Sequence, residues 1–330
     1  MRPIFLALTF LGLMAGPLHA ACDGQSLTPT LTTAERAELD TRLADLPYAS
    51  GNHWRATRGD AVLHLVGTMH LGEPRLDGPT SRLTPLVEGA GLLLLEMAAD
   101  EKAALETALA TRMDILLLPD KTLPDLLPEA EWQMLADAMR QRGVPPFMGA
   151  KMRPWYVSIL LAIPSCMKEQ LAEADGLDAR LERHAVAAGV PARSLEPYET
   201  GFKAFADMPF ETQMLMVRSA LSAPEDGEDL FETMLTAYFA EDHGASQVVL
   251  EVLSPRLTPL SEAENKRVFR ALDEALISSR NRAWIPVLED ALEETDGYVV
   301  AAFGAAHLAG HEGVLQLLAD EGFTLERLPF

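Results

Sequence analysis

Two tetrads with one grammar, Gly67-Thr68-Met69-His70 and Gly304-Ala305-Ala306-His307, stand near opposite ends of a chain of 330 residues. Each follows an apolar run, 61–66 and 298–303, with the length and composition of a buried strand. A glycine at a strand's carboxyl end lets the backbone turn sharply because it has no Cβ to clash, and open α/β sheets gather their ligands at that rim. Glu96 ends a third such run, Leu92-Leu93-Leu94-Leu95, and Glu196 ends a shorter one, Ala192-Arg193-Ser194-Leu195. Two imidazoles with one or two carboxylates form a donor set suited to Zn²⁺, Mn²⁺, Co²⁺ or Fe²⁺. Such an ion makes water a competent nucleophile near neutral pH, and a spare carboxylate can serve as general base. Any one of these residues alone is an ordinary strand-end polar group. Four in matching contexts point to one shared metal site built from His70, Glu96, Glu196 and His307.

Arg280-Asn281-Arg282-Ala283-Trp284 adds two further candidates on a helical stretch of the acidic C-terminal half. Arg280 suits the stabilisation of an oxyanion or a substrate carboxylate. Asn281 suits a hydrogen bond to substrate or the orientation of a metal ligand. The competing reading of Arg280 is a surface cation paired with Asp273 or Glu274. His311 lies four residues after His307, but Leu308 replaces the glutamate of a His-Glu-x-x-His helix, so His311 reads as a helix-start residue. His64 reads as a core histidine, and His53, His184 and His243 show no partner pattern. No serine stands in a Gly-x-Ser-x-Gly elbow, and no glycine loop would cradle a phosphate.

The elements that must position these residues form a mixed α/β pattern. Thr32-Thr33-Ala34-Glu35 is a capping sequence ahead of a helix over 33–46. Strand-like runs at 52–57 and 61–66 are joined by a turn of hairpin length, Arg58-Gly59-Asp60. The run at 92–95 is continuously apolar, as in strands covered on both faces of a parallel sheet. From about 120 to 290 the chain is mostly helical and punctuated by proline. Ser261 caps a stretch over 262–292, long enough for one or two helices around Pro286. A strand at 298–303, a helix at 313–320 and a strand at 323–328 close the chain. The expected architecture is one α/β domain over 21–330, its mixed sheet built from N- and C-terminal segments with a large helical block inserted over about 120–290.

Residues 1–20 read as a signal peptide: a positive start, an apolar stretch from Ile4 to Leu18, and a small residue at the end of Leu18-His19-Ala20. This places the mature protein in the periplasm or outside the cell. A lipid anchor at Cys22 is the alternative, although Leu18 stands four residues before that cysteine where a lipobox resemblance wants three. The two cysteines, Cys22 and Cys166, are an even count in an exported chain and are expected to pair. The net charge of −22 and the lack of a basic stripe exclude nucleic acid and anionic membrane surfaces as natural partners. No later stretch has the length of a membrane span. The partner expected is a peptide or small-molecule substrate.

The ordered set Gly67-Thr68-Met69-His70-Leu71-Gly72, Leu94-Leu95-Glu96, Met152-Arg153-Pro154-Trp155, Ser194-Leu195-Glu196, Arg280-Asn281-Arg282-Ala283-Trp284 and Phe303-Gly304-Ala305-Ala306-His307-Leu308 resembles the TraB/GumN family, which also includes the Tiki-type metalloproteases. The resemblance spans essentially the whole mature chain. It implies a fold related to the erythromycin-esterase and haem-binding ChaN-like group, and a peptidase dependent on a divalent metal such as Mn, Co or Zn. By that likeness His70 and His307 match the paired histidines, Glu96 the required acid, Arg280-Asn281 the late polar pair and Glu196 a further family acid. Tiki proteins are membrane-anchored, and no anchor-like stretch follows the last strand of this sequence. The alternative function is a non-catalytic protein that holds haem or another ligand with the same histidines.

Overall fold

His53–Arg58 (β1) and Ala61–Thr68 (β2) fold back on each other with Arg58 paired to Ala61. Gly59 turns the chain there with φ +61°, a left-handed setting that glycine adopts without a Cβ clash. Four more strands join them: Leu92–Leu95 (β3), Ala192–Ser194 (β4), Val299–Gly304 (β5) and Thr324–Arg327 (β6). The sheet order is β4-β3-β5-β2-β1-β6. β4, β3, β5 and β2 run parallel, β1 opposes β2, and β6 opposes β1. The computed structural model describes residues 22–167, 173–221 and 224–330, so the expected leader at 1–20 lies outside the described residues.

The expected mixed α/β architecture is the observed one, and the parallel register explains the apolar runs. Leu63, Leu65, Leu92, Leu94, Val299, Ala301 and Phe303 pack on one face with Trp284 and Leu288 of the helix Ser279–Glu294 and with Leu315 and Leu318 of Val314–Asp320. Their neighbours Val66, Leu93, Leu95, Val300 and Ala302 pack on the other face with Leu83 and Val87 of Asp77–Glu88 and Leu181 and Ala185 of Leu177–Ala188. Strands covered on both sides have no solvent face to mark with polar residues. β4 comes from inside the helical block rather than from either end, because the parallel edge of β3 accepts it through Leu93, Leu94 and Leu95.

The helical block has its own core, in which Leu135 and Met139 of Glu129–Gln141, Val157 and Leu161 of Pro154–Ala162, and Met214 and Val217 of Phe210–Ser219 meet. Thr32 and Ser261 both form reciprocal capping boxes, with Glu35 and Glu264. Pro286 does not divide the late helical stretch. Ser279–Glu294 runs through it, because a proline removes one backbone bond while Trp284, Ile285 and Leu288 around it are buried. The irregularity lies earlier, in a π-turn over Glu274–Ser278 that joins Glu262–Asp273 to Ser279. His311 is not a helix start either: it is exposed in a turn, and the helix begins at Val314 behind Gly313.

Cys22 and Cys166 are disulfide-bonded, with Cα atoms 5.4 Å apart. The bridge ties the first described residue to the turn that follows Pro154–Ala162. Among the described residues no helix is long and apolar enough to cross a membrane.

Candidate functional site

The register brings the carboxyl ends of β2, β3, β5 and β4 to one rim. Thr68 pairs with Gly304, Leu95 with Ala302, and Leu95 with Ser194. Beyond β2, Met69 and His70 meet the N-terminus of Leu177–Ala188: Leu177 N–H donates to Met69 O at 2.9 Å. A Cβ on Gly176 would lie 2.4 Å from the His70 carbonyl carbon, so this approach needs glycine. One residue into the helix, Asp178 places Oδ1 3.2 Å from His70 Nδ1. Beyond β5, the chain tightens into a 3₁₀ turn, Ala305–His307. His307 is 3 % exposed, with its ring tilted against Trp284 at 4.4 Å between centroids.

Glu96 is the hub. Its Oε1 accepts from Gly304 N–H at 2.6 Å and lies 3.6 Å from His70 Nε2 and 3.8 Å from His307 Nε2. Its Oε2 accepts from Arg280 Nη2 at 2.7 Å. Arg280 is also gripped by Glu196: Nε donates to both carboxylate oxygens at 2.9 and 3.1 Å, and Nη2 to Oε1 at 2.5 Å. Trp284 Nε1–H holds the other side of Glu196 at 2.9 Å. Arg280 Nη1 reaches Leu276 O at 3.0 Å and His307 Nε2 at 3.3 Å. The surface pairings weighed for Arg280 do not form: Asp273 accepts from Ser278, and Glu274 pairs with Arg282.

Asn281 decides how His307 is oriented. Its amide Nδ2 donates to the carbonyls of Glu312 at 2.7 Å and His307 at 3.3 Å. That leaves Oδ1 as acceptor for His307 Nδ1–H at 2.6 Å, so the Nε2 lone pair faces the cluster. The fold therefore brings together His70, Glu96, Glu196, Arg280, Asn281 and His307. It adds Asp178 and Gly176, which the sequence reading did not single out; their one sequence trace is a glycine two residues before an acid at the head of an amphipathic helix.

The charges are strongly coupled. Desolvation by the crowded rim would depress His70, half-exposed though its side chain is, but its hydrogen bonds and charge attraction to Asp178 and Glu96 raise its pKa well above the ordinary histidine value. Burial would raise Glu96, yet His70, His307 and Arg280 hold its carboxyl well below the usual range. Burial likewise opposes Asp178, which His70 keeps ionised. Buried His307 is pushed down to about 4, opposed by Glu96 and assisted by the Arg280 and His70 charges. Burial disfavours charge on Arg280, but Glu196 and Glu96 outweigh it. One charged and one neutral imidazole thus flank a single carboxylate.

Among the described residues, three donor atoms of His, Cys, Asp or Glu lie mutually within 4.8 Å only at Cys22, Cys166 and Glu228. Those two sulfurs are bonded to each other, which removes them as ligands. His70, Glu96 and His307 form no such set: the two Nε2 atoms lie 3.6 and 3.8 Å from Glu96 Oε1, so it is the imidazoles that stand more than 4.8 Å apart.

The four parallel strands of the mixed sheet carry a charged cluster over their carboxyl edge, the rim at which open α/β sheets usually bind ligands. The chain belongs to the TraB/PrgY/gumN family, whose sequence profile matches residues 52–327 and so takes in every strand and every residue of the cluster. It is similar to the YbaP protein of Escherichia coli (strain K12), 24 % identical over 278 residues that cover 81 % of this chain and 94 % of that protein. YbaP of Shigella flexneri is likewise 24 % identical over 292 residues, 83 % of this chain and 99 % of the relative.

Proposed function

We propose that this protein is an exported, metal-dependent hydrolase of peptidase type, with His70, His307 and Glu96 as ligands for Mn²⁺, Co²⁺ or Zn²⁺. The observation that carries this reading is the approach of both Nε2 atoms to one oxygen, Glu96 Oε1, at 3.6 and 3.8 Å. Tetrahedral donors with bonds of about 2.1 Å stand roughly 3.4 Å apart, so both pairs are near that spacing. Each far nitrogen is anchored, His307 Nδ1 on Asn281 Oδ1 and His70 Nδ1 on Asp178 Oδ1, which is the outer support that metal-binding histidines need. His307 is buried, while the His70 side chain is 56 % exposed and has the freedom to close the remaining gap between the imidazoles.

A divalent ion in that position supplies Lewis acidity and a nucleophile from water at neutral pH. The chain's own groups divide the rest. Glu196, itself held by Trp284, and Glu96 fix Arg280; its Nη1–H, which reaches His307 Nε2, gives up that nitrogen when the ion is bound and is then free to stabilise negative charge developing on a substrate carbonyl. Asn281 fixes the His307 tautomer. Loading the ion requires His70 to give up its proton, so binding weakens as pH falls. The disulfide supports an oxidising compartment, in keeping with export.

The test is metal content of the purified protein beside His70→Ala and His307→Ala, together with peptide hydrolysis in Mn²⁺, Co²⁺ or Zn²⁺. Stoichiometric metal lost in both variants, with hydrolysis lost in step, is the expected result. No metal above the variants and no turnover in any ion would end this reading, and a Soret band on haem titration that disappears in His70→Ala would replace it with ligand binding.

A further inference from the structure

Away from the sheet rim, the helical block contains a cleft of about 790 Å³, within the roughly 300–1,000 Å³ of small-molecule pockets. Its walls are mostly apolar and come from several helices, with Ala138, Leu161, Met216, Phe231, Leu257 and Leu272 among the side chains that face it. Protein interiors are close-packed and leave few voids larger than a water molecule. A space this large with walls of this kind is suited to an apolar occupant.

One wall carries a fixed cation. Arg142 donates Nε–H to Leu160 O at 2.9 Å, Nη2–H to Leu161 O at 2.9 Å and Ile163 O at 3.1 Å, and Nη1–H to Ala138 O at 3.2 Å. These bonds lock the guanidinium at the end of Pro154–Ala162 and engage four of its five N–H donors. One N–H on Nη1 is left over. Among the described residues no carboxylate pairs with Arg142, and burial pushes its pKa down. The other charged groups on the lining are Asp137, which is ion-paired with Arg140, and Glu228.

We propose that this cleft binds a long-chain carboxylic acid, with the carboxylate on Arg142 and the aliphatic chain along the apolar walls. The carbonyls at the helix end orient the guanidinium and offset only part of its charge, and a carboxylate supplies both the remaining counter-charge and an acceptor for the free N–H. The chain accounts for the apolar walls. The site is separate from the metal reading, although Leu276 lines the cleft and its carbonyl accepts from Arg280 at 3.0 Å.

The experiment is calorimetric titration of the mature chain, stripped of bound lipid, with dodecanoate and with 1-dodecanol. Dodecanoate is expected to bind once per chain with Kd of about 10 μM or tighter, and the alcohol at least about 10-fold more weakly. Ala138→Phe and Ala220→Leu, which fill the cleft, should each weaken dodecanoate at least about 10-fold with unchanged far-UV circular dichroism. His70→Ala should bind like the wild type. Arg142→Gln should bring the acid to the level of the alcohol; if that variant fails to fold, the wild-type comparison of acid with alcohol decides the head group. Absence of saturable binding, equal affinity for acid and alcohol, or binding indifferent to both filling variants overturns the proposal.

Discussion

His70 Nδ1 lies 3.2 Å from Asp178 Oδ1, a contact across 108 residues made where the Leu177–Ala188 helix butts against the turn after β2. The carboxylate holds the proton on Nδ1 and leaves Nε2 facing Glu96. Asp178→Asn keeps the side-chain shape but loses the charge. On the proposed metal-dependent reading, the expected outcome is a divalent-ion affinity about 10–100-fold lower with little change in thermal midpoint, read by competition with a chelating dye. Unchanged affinity would remove Asp178 from the centre.

The two tetrad glycines answer different needs, and alanine should separate them. Gly304 has φ −50° and ψ 132°, which alanine adopts freely, but a Cβ there would stand 3.1 Å from Glu96 Oε1 and 3.4 Å from His70 Nε2. On the proposed metal-dependent reading, Gly304→Ala should fold and lose metal binding and turnover by about 10-fold or more. A Cβ on Gly67 would instead lie 2.6 Å from Leu308 Cδ1 and 3.0 Å from Ala305 Cβ. Gly67→Ala should cost about 1–3 kcal/mol of stability through overpacking, measured by urea unfolding. The same loss in both variants would contradict this division.

The strands around the site were legible because burial on both faces leaves apolar runs with no polar alternation, as at Leu92–Leu95. The approach of both His70 and His307 to Glu96 followed from a repeated local grammar, Gly-x-x-His after such a run. What stayed hidden depends on contacts with no local trace. Glu196 finds Arg280 across 84 residues, and nothing beside Arg280 distinguishes this partner from Asp273 or Glu274. Pro286 left one or two helices open for a related reason: it is a strong local breaker, and only the tertiary burial of its neighbours decides that the helix runs through it. His53, which showed no partner pattern, bonds His64 and Pro329 O, and His243 bonds Asn52 and Tyr48 O. Cys22 and Cys166 paired as expected because each had one possible partner.

That disulfide closes a sequence separation of 144 residues. Loop-closure entropy grows slowly with length, and native bridges are worth about 2–4 kcal/mol. The double variant Cys22→Ser/Cys166→Ser should therefore unfold at lower urea, by about 2–4 kcal/mol, and reductant should destabilise the wild type while leaving the variant unaffected. Reductant-independent wild-type stability would mean the bridge does not constrain the unfolded chain.

The histidine pair on the β1–β2 hairpin gives acid sensitivity at a distance from the charged cluster. His53 Nδ1–H donates to Pro329 O at 2.9 Å, which leaves Nε2 to accept from His64 Nδ1–H at 3.2 Å. This arrangement needs His53 neutral at Nε2, while burial rather than the bond keeps His64 neutral. Burial pushes His64 down to about 4, helped by the charges of His53 and Arg55, and burial lowers His53 as well, against the Pro329 bond and Glu241. The folded pKa values lie below the unfolded value of about 6.5, so the unfolded chain binds more protons once pH drops beneath that value. The contribution to stability is therefore full above pH 6.5 and declines as pH falls toward 4. His64→Leu removes one titrating partner, and its urea midpoint should decline less between pH 6.5 and 4.5 than that of the wild type, by about 1–2 kcal/mol in unfolding free energy. Parallel declines in the two proteins would show that the hairpin pair carries none of the acid sensitivity.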